Sequence, residues 1–161
     1  MAEFTPIEGE TPIDISELTT KAKARGVRTR AELNDLEAEG VFAATAKYLS
    51  GSAKLRPQKA PFTYPWCLKL HGEMFGEVWR WAGQIRKQNL NLGCNHAMIV
   101  DELQRLLDDL AAWPGFGMRL LEQSVRLHHR AVQIHPFENG NGRWARLLGN
   151  IWLRRQAAPI V

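Results

Sequence analysis

The sequence predicts an all-α domain, a helical bundle with one short β-hairpin. Three observations carry this expectation. Apolar residues recur at helical spacing through most of the chain from Ala31 onward. Start and stop signals fall at the ends of those stretches, as at Thr29, Pro65 and Pro114-Gly115. One segment, Gln84–Leu92 between Gly83 and Gly93, breaks the helical pattern and reads as a short hairpin or extended flap.

Residues 1–28 read as an N-terminal tail and lead-in segment, with residues 1–12 acidic and Pro/Gly-bearing, and residues 29–161 as one domain. Thr29 with Glu32 fits a capping box, so a helix is expected from about Ala31 to Leu49, ending at Gly51. Pro65 suits a first helical turn. After it, two adjacent rows (Trp66, Leu70, Met74, Val78 and Cys67, His71, Phe75, Trp79) make a wide apolar face, so this helix is expected at the centre, with His71 as a satisfied core histidine. Ile99–Trp113 and Met118–Ile134 read as helices, the second with Leu121, Val125 and Val132 among its apolar positions, and Trp144–Gln156 closes the fold.

The chain has 161 residues and 45% hydrophobic content, enough for one core. Cys67 and Cys94 fit no zinc or redox spacing and read as reduced thiols. No apolar run approaches the roughly 20 residues of a membrane span, and the first residues hold no signal core; a cytoplasmic location is expected. The formal charge of +4 is scattered, which does not favour nucleic-acid binding.

The stretch HPFENGNGRWAR, His135 to Arg146, lies between two predicted helices. Gly140 and Gly142 let the loop curl its N–H groups inward. The next helix begins near Gly142, and its free N–H groups and positive dipole end make an anion site. Arg143 and Arg146 add forked donors suited to phosphate oxygens, and Asn141 a side-chain amide. The product is a cradle for linked phosphates. His135, across the loop, has an ordinary pKa near neutrality, which suits a general base acting on a hydroxyl. No Gly-Lys-Ser/Thr follows, so this is not a Walker loop. His128 and His129 are adjacent on a helix, face different sides, and make no metal site with His135.

This stretch resembles the signature of Fic-domain proteins, His-x-Phe-x-Asp/Glu-Gly-Asn-Gly-Arg-x-x-Arg, and FGEVWRWAGQIRK is similar to the segment leading into the Fic flap. Matching features run from about Thr29 to Arg155, and the spacing and short length resemble most the small bacterial branch called mobile mystery protein B. The resemblance implies a Fic-type bundle with a β-hairpin flap, and transfer of AMP from ATP to a hydroxyl side chain of a target protein. It implies His135 as the base, Phe137 as a buried anchor, and Gly140, Asn141 and Gly142 as the phosphate cradle. It gives Arg143 a phosphate contact and a part in catalysis, gives Arg146 the terminal phosphate, and makes the flap at 85–92 the dock for an extended target segment. The family places an Mg²⁺-binding Asp or Glu where this chain has Asn139; the nearest carboxylate is Glu138, one place early. Mg²⁺ is therefore expected to be weakly held, by Asn139 or Glu138. Many relatives restrain themselves through a helix bearing Ser/Thr-x-x-x-Glu-Gly/Asn, whose glutamate pairs with the second motif arginine. Here Glu39-Gly40 fits its end, with Asp35 at the Ser/Thr place, so helix 31–50 is the candidate inhibitory helix and Glu39 its glutamate.

The leading reading is a protein adenylyltransferase. The alternative is a nucleotide-binding regulatory protein with weak or no transfer, followed by phosphoryl transfer and, last, a nucleic-acid binder. The target, nucleotide preference and oligomeric state are not encoded in any motif.

Overall fold

The structure is a computed structural model describing residues 14–27, 29–51 and 54–160; the tail read at residues 1–12 lies outside the described residues. Its α-helices are α1 (Thr20–Ala24), α2 (Arg30–Leu49), α3 (Tyr64–Phe75), α4 (Ile99–Ala112), α5 (Leu120–Ile134) and α6 (Asn141–Arg155), joined by short 3₁₀ turns. No described helix is long and apolar enough to cross a membrane.

The helix starts follow local chemistry. Thr29 accepts from the Glu32 N–H, and the Glu32 carboxylate accepts from the Thr29 N–H, which completes the capping box of α2. Pro65 lies in the first turn of α3. After α4, Trp113–Phe116 tightens into a 3₁₀ turn closed by Gly117 in the left-handed region (φ 71°).

The core sits between α3 and α6, with α2, α4 and α5 around them. Leu70 and Met74 of α3, Phe137 of the motif loop and Trp144 and Ile151 of α6 are all buried. Two contacts bring backbones close. A side chain at Gly40 of α2 would collide with the Met74 carbonyl of α3. At Gly149 of α6 the carbonyl accepts from Ser124 Oγ of α5 at 3.1 Å, and a Cβ there would lie only 3.0 Å from that oxygen. The segment read as lead-in joins the body: Leu18 and Ala22 are buried, and the Thr19 N–H donates to the Val78 carbonyl.

Three expectations change. First, α3 ends at Phe75, so Val78 and Trp79, read as its last rows, are buried from the turns that follow. Second, Leu121 and Val125 of α5 are exposed; its buried row is Gln123/Ser124, Leu127, Ala131 and Ile134. Third, the hairpin is not formed. Residues 84–95 hold no strand, and the one β-bridge among the described residues pairs Leu18 with Trp79. The segment is an irregular loop, and its Gln88 and Cys94 carbonyls accept from the Arg86 side chain instead of a partner strand.

Candidate functional site

The motif occupies the turn from α5 into α6. His135 caps α5 in the left-handed region (φ 52°, ψ 61°), its N–H still donating to the Ala131 carbonyl. That conformation swings the chain out of the helix and leaves the imidazole half-buried. Phe137 then enters the core. It stacks on His71 (3.6 Å between centroids, 15° between planes) and meets Trp144 edge-on at 5.0 Å.

Two polar side chains fix the loop on this aromatic floor. The Asn141 side chain accepts from the Phe137 N–H at 2.9 Å and donates to the Phe137 carbonyl at 2.8 Å. His71, fully buried, accepts the Gly83 N–H on Nδ1 and donates from Nε2 to the Asn139 carbonyl, each at 3.0 Å. These partners fix the neutral ring with its proton on Nε2. Burial pushes the His71 pKa down to about 3, the Arg143 charge adds to the fall, and the Asn139 carbonyl opposes it. His71 thus joins α3, the base of the flap and the motif loop. At Gly140 (φ 77°) a side chain would fall 2.6 Å from the Phe75 ring, so only glycine fits.

α6 begins at Asn141 without a side-chain cap, so its first-turn N–H groups are available to an anion. Gly142 is exposed, with open space around it. Arg143 lies over the Phe75 ring at 4.7 Å, and Arg146, exposed, follows one turn on. The sequence reading gave Asn141 a phosphate-facing amide. That amide is buried and committed to Phe137, so Asn141 contributes the loop's shape and its backbone N–H.

His135 is set for base chemistry. Its pKa lies below the ordinary histidine value, first through burial and also through the Arg86 charge, against the Val132 carbonyl that accepts from the ring. The imidazole is therefore neutral near pH 7 and free to take a proton.

A cleft of about 800 Å³ opens beside the loop. Glu138 and Asn139 line it together with Glu17 of the N-terminal segment, Trp79 and Trp81 of the turns after α3, and Lys87 of the flap, among others. The chain's own donors do not fit a resident Mg²⁺. Asn139 Oδ1 is turned back to the Gly140 N–H at 2.6 Å, Glu138 is the single carboxylate of the loop, and no group of three metal-ligating side chains occurs among the described residues.

The acidic partner at the cradle is also not the one expected. Glu39 is exposed and forked onto Arg25 (2.9 and 3.1 Å), which holds its carboxyl below the usual range; it makes no pair with Arg146. Glu37, two residues earlier, faces inward. It is buried at 4% exposure, accepts from Trp79 Nε1 at 2.6 Å and pairs with Arg143 at 2.6 Å. The sequence held a signal for it: Leu33, Glu37, Gly40, Ala44 and Tyr48 form one helical row whose other members pack inward.

Residues 61–153 match the sequence model of the Fic/DOC family. The chain belongs to the Fic/DOC family. Among its relatives, the protein adenylyltransferase fic-1 of Caenorhabditis briggsae is 32% identical over 84 residues, 50% of this chain and 17% of that protein. The chain therefore spans about a sixth of that relative. The fold of Fic-1 from C. elegans is similar, with a TM-score of 0.62 at 20% identity over 98% of this chain and 41% of the other. So is that of the BepC protein with bound AMPPNP from Bartonella tribocorum, with a TM-score of 0.62 at 17% identity over 94% and 76%. The Fic match begins after α2, so Glu37 lies outside it.

Proposed function

We propose that this Fic domain transfers AMP from ATP to a hydroxyl side chain of a target protein. The observation that carries the reading is the meeting of two helix ends in one turn: a neutral, half-buried His135 at the end of α5 and an uncapped, arginine-bearing start of α6. The adenylyltransferase relatives and the nucleotide bound by the BepC protein support it. In this mechanism the α6 N–H groups and Arg143 hold phosphate oxygens and stabilise the charge that develops in transfer. Arg146 takes the terminal phosphate. His135 removes the proton of the target hydroxyl as its oxygen attacks the α-phosphorus, and pyrophosphate leaves. The target segment lies in the cleft between the flap and Glu138. The test is incubation with ATP labelled at α or at γ. Label from α on protein supports AMP transfer, label from γ means phosphorylation, and neither means a binding protein.

Two observations favour a restrained form of this activity: the Glu37–Arg143 pair and the neutral Asn139. Glu37→Gln keeps an acceptor for Trp79 Nε1 but frees Arg143. ATP binding should tighten roughly tenfold, the scale of one charge-assisted hydrogen bond. Calorimetry checks this, and Arg143→Ala should move affinity the other way by about 1–3 kcal/mol. Equal affinity in Glu37→Gln and the parent would reject the restraint.

Asn139→Asp keeps an acceptor for the Gly140 N–H and adds a charge for the nucleotide's metal. Transfer should accelerate and become more dependent on Mg²⁺, read by titrating Mg²⁺ against labelling. If Glu138 instead serves the metal, Glu138→Ala would abolish labelling and Asn139→Asp would gain nothing.

A further inference from the structure

Arg86 is 1% exposed, and no carboxylate pairs with it among the described residues. Backbone oxygens satisfy its guanidinium instead. Nε donates to the His135 carbonyl at 2.7 Å, Nη1 to Gln88 at 2.7 Å, and Nη2 to Cys94 at 2.5 Å and, longer, to Ile134 at 3.5 Å. One of these oxygens belongs to the flap, one to Cys94 just past its closing Gly93, and two to the last residue of α5 and its cap, where the helix dipole presents partial negative charge. The backbone repeats the link: the Arg86 N–H donates to the Pro136 carbonyl, and the Cys94 N–H to Ile134. Gly93 (φ 97°) closes the contact, since a Cβ there would lie 2.5 Å from His135 Cβ and 2.8 Å from Arg86 Nη2. A flat fork with five donors can bridge oxygens on two segments at once; a lysine ammonium has three donors on a single nitrogen and cannot reproduce that span.

We propose that Arg86 is the positioning residue for His135, pinning the flap to the end of α5 and holding the imidazole at the edge of the cradle. The proposal rests on His135 as the base. A base displaced by an ångström loses its alignment with the attacking hydroxyl, so the fork sets the rate of proton transfer. The same cation also favours the neutral ring. The groups that act on the ring are the Arg86 guanidinium and the Val132 carbonyl. Of the two, Arg86 is the one that carries a charge.

The test compares the full chain with Arg86→Gln and Arg86→Lys. Imidazole ¹⁵N signals of His135 are titrated by NMR, and hydrogen exchange is followed at the Cys94 and Ile151 amides. Losing the cation in Arg86→Gln should move the His135 titration to higher pH. Arg86→Lys keeps the charge, so its titration should stay near the parent's. Both variants lose the fork, so Cys94 should exchange at least tenfold faster while Ile151, in the core, does not. Labelling should fall in kcat with the KM for ATP unchanged. Parent-like His135 titration and Cys94 exchange in folded Arg86→Gln overturn the proposal. If that variant does not fold, parent-like Cys94 exchange in Arg86→Lys overturns it, and so does global unfolding of both, which would make Arg86 a residue of the core alone. A parent that transfers no label sinks the AMP-transfer reading and leaves the NMR and exchange arms to decide Arg86.

Discussion

Phe137→Ala should lower stability by about 3–5 kcal/mol, the range for truncating a buried aromatic ring. The ring is fully buried, stacked on His71 and set edge-on to Trp144, so its removal leaves a cavity whose walls are held by other contacts. Those walls cannot simply collapse. His71 is tied at both nitrogens, and Trp144 Nε1 donates to the Cys67 carbonyl. The loss should appear as a lower midpoint in denaturant with an unchanged slope. The variant should also bind ATP more weakly, because the Phe137 backbone is what Asn141 holds at the start of α6. Full stability in Phe137→Ala would mean that the loop is not anchored through the core.

His135→Ala should remove label transfer by about 10²–10⁴-fold, the usual contribution of a positioned general base. ATP affinity should stay within about twofold, since the cradle is made by α6 and its arginines. Alanine tolerates the left-handed backbone less well than histidine, so some loss of stability is expected too. A pH series separates the two effects. In the parent, transfer should persist below pH 6.5, because burial and the Arg86 charge lower the His135 pKa and the ring stays neutral further into acid. Transfer in the alanine variant, if any, should lack that acid limb. Parent-like labelling by His135→Ala would remove the histidine from the mechanism.

Where local chemistry decides the outcome, the chain could be read directly. The capping box at Thr29 and Glu32, Pro65 in a first turn and the helix–loop–helix around Gly140 depend on neighbours within four residues, and the structure has all three. His71 also reads as a satisfied core residue, and its two partners satisfy it. Two of the failures, the flap and Glu37, share a cause, which is distance along the chain. The flap looked like a hairpin because glycines bracket a non-helical run, but the oxygens that compete for Arg86 come from residues 134 and 135, some 48 residues away. Asn141 has the chemistry of a phosphate donor, and only the packing of Phe137 turns it inward. Glu37 and Glu39 are two residues apart and so face different sides of α2. Which of them meets the cradle depends on Arg143, 106 residues later. Family pattern favoured Glu39, while the burial periodicity of α2 favours Glu37.

The position of α2 bears on how far recurrence in sequence coincides with physical autonomy. A polypeptide trimmed to the recurring segment, residues 61–153, would carry every motif residue. It would lack the helix whose Tyr48 sits edge-on to Trp66 at 5.9 Å, whose Gly40 lets α3 approach, and whose Glu37 occupies both Trp79 and Arg143. Such a piece would expose part of its own interior and leave Arg143 without its Glu37 partner. In this chain the segment matched to the family is smaller than the packed body, and α2, which precedes that segment, reaches the motif through Glu37 without belonging to it.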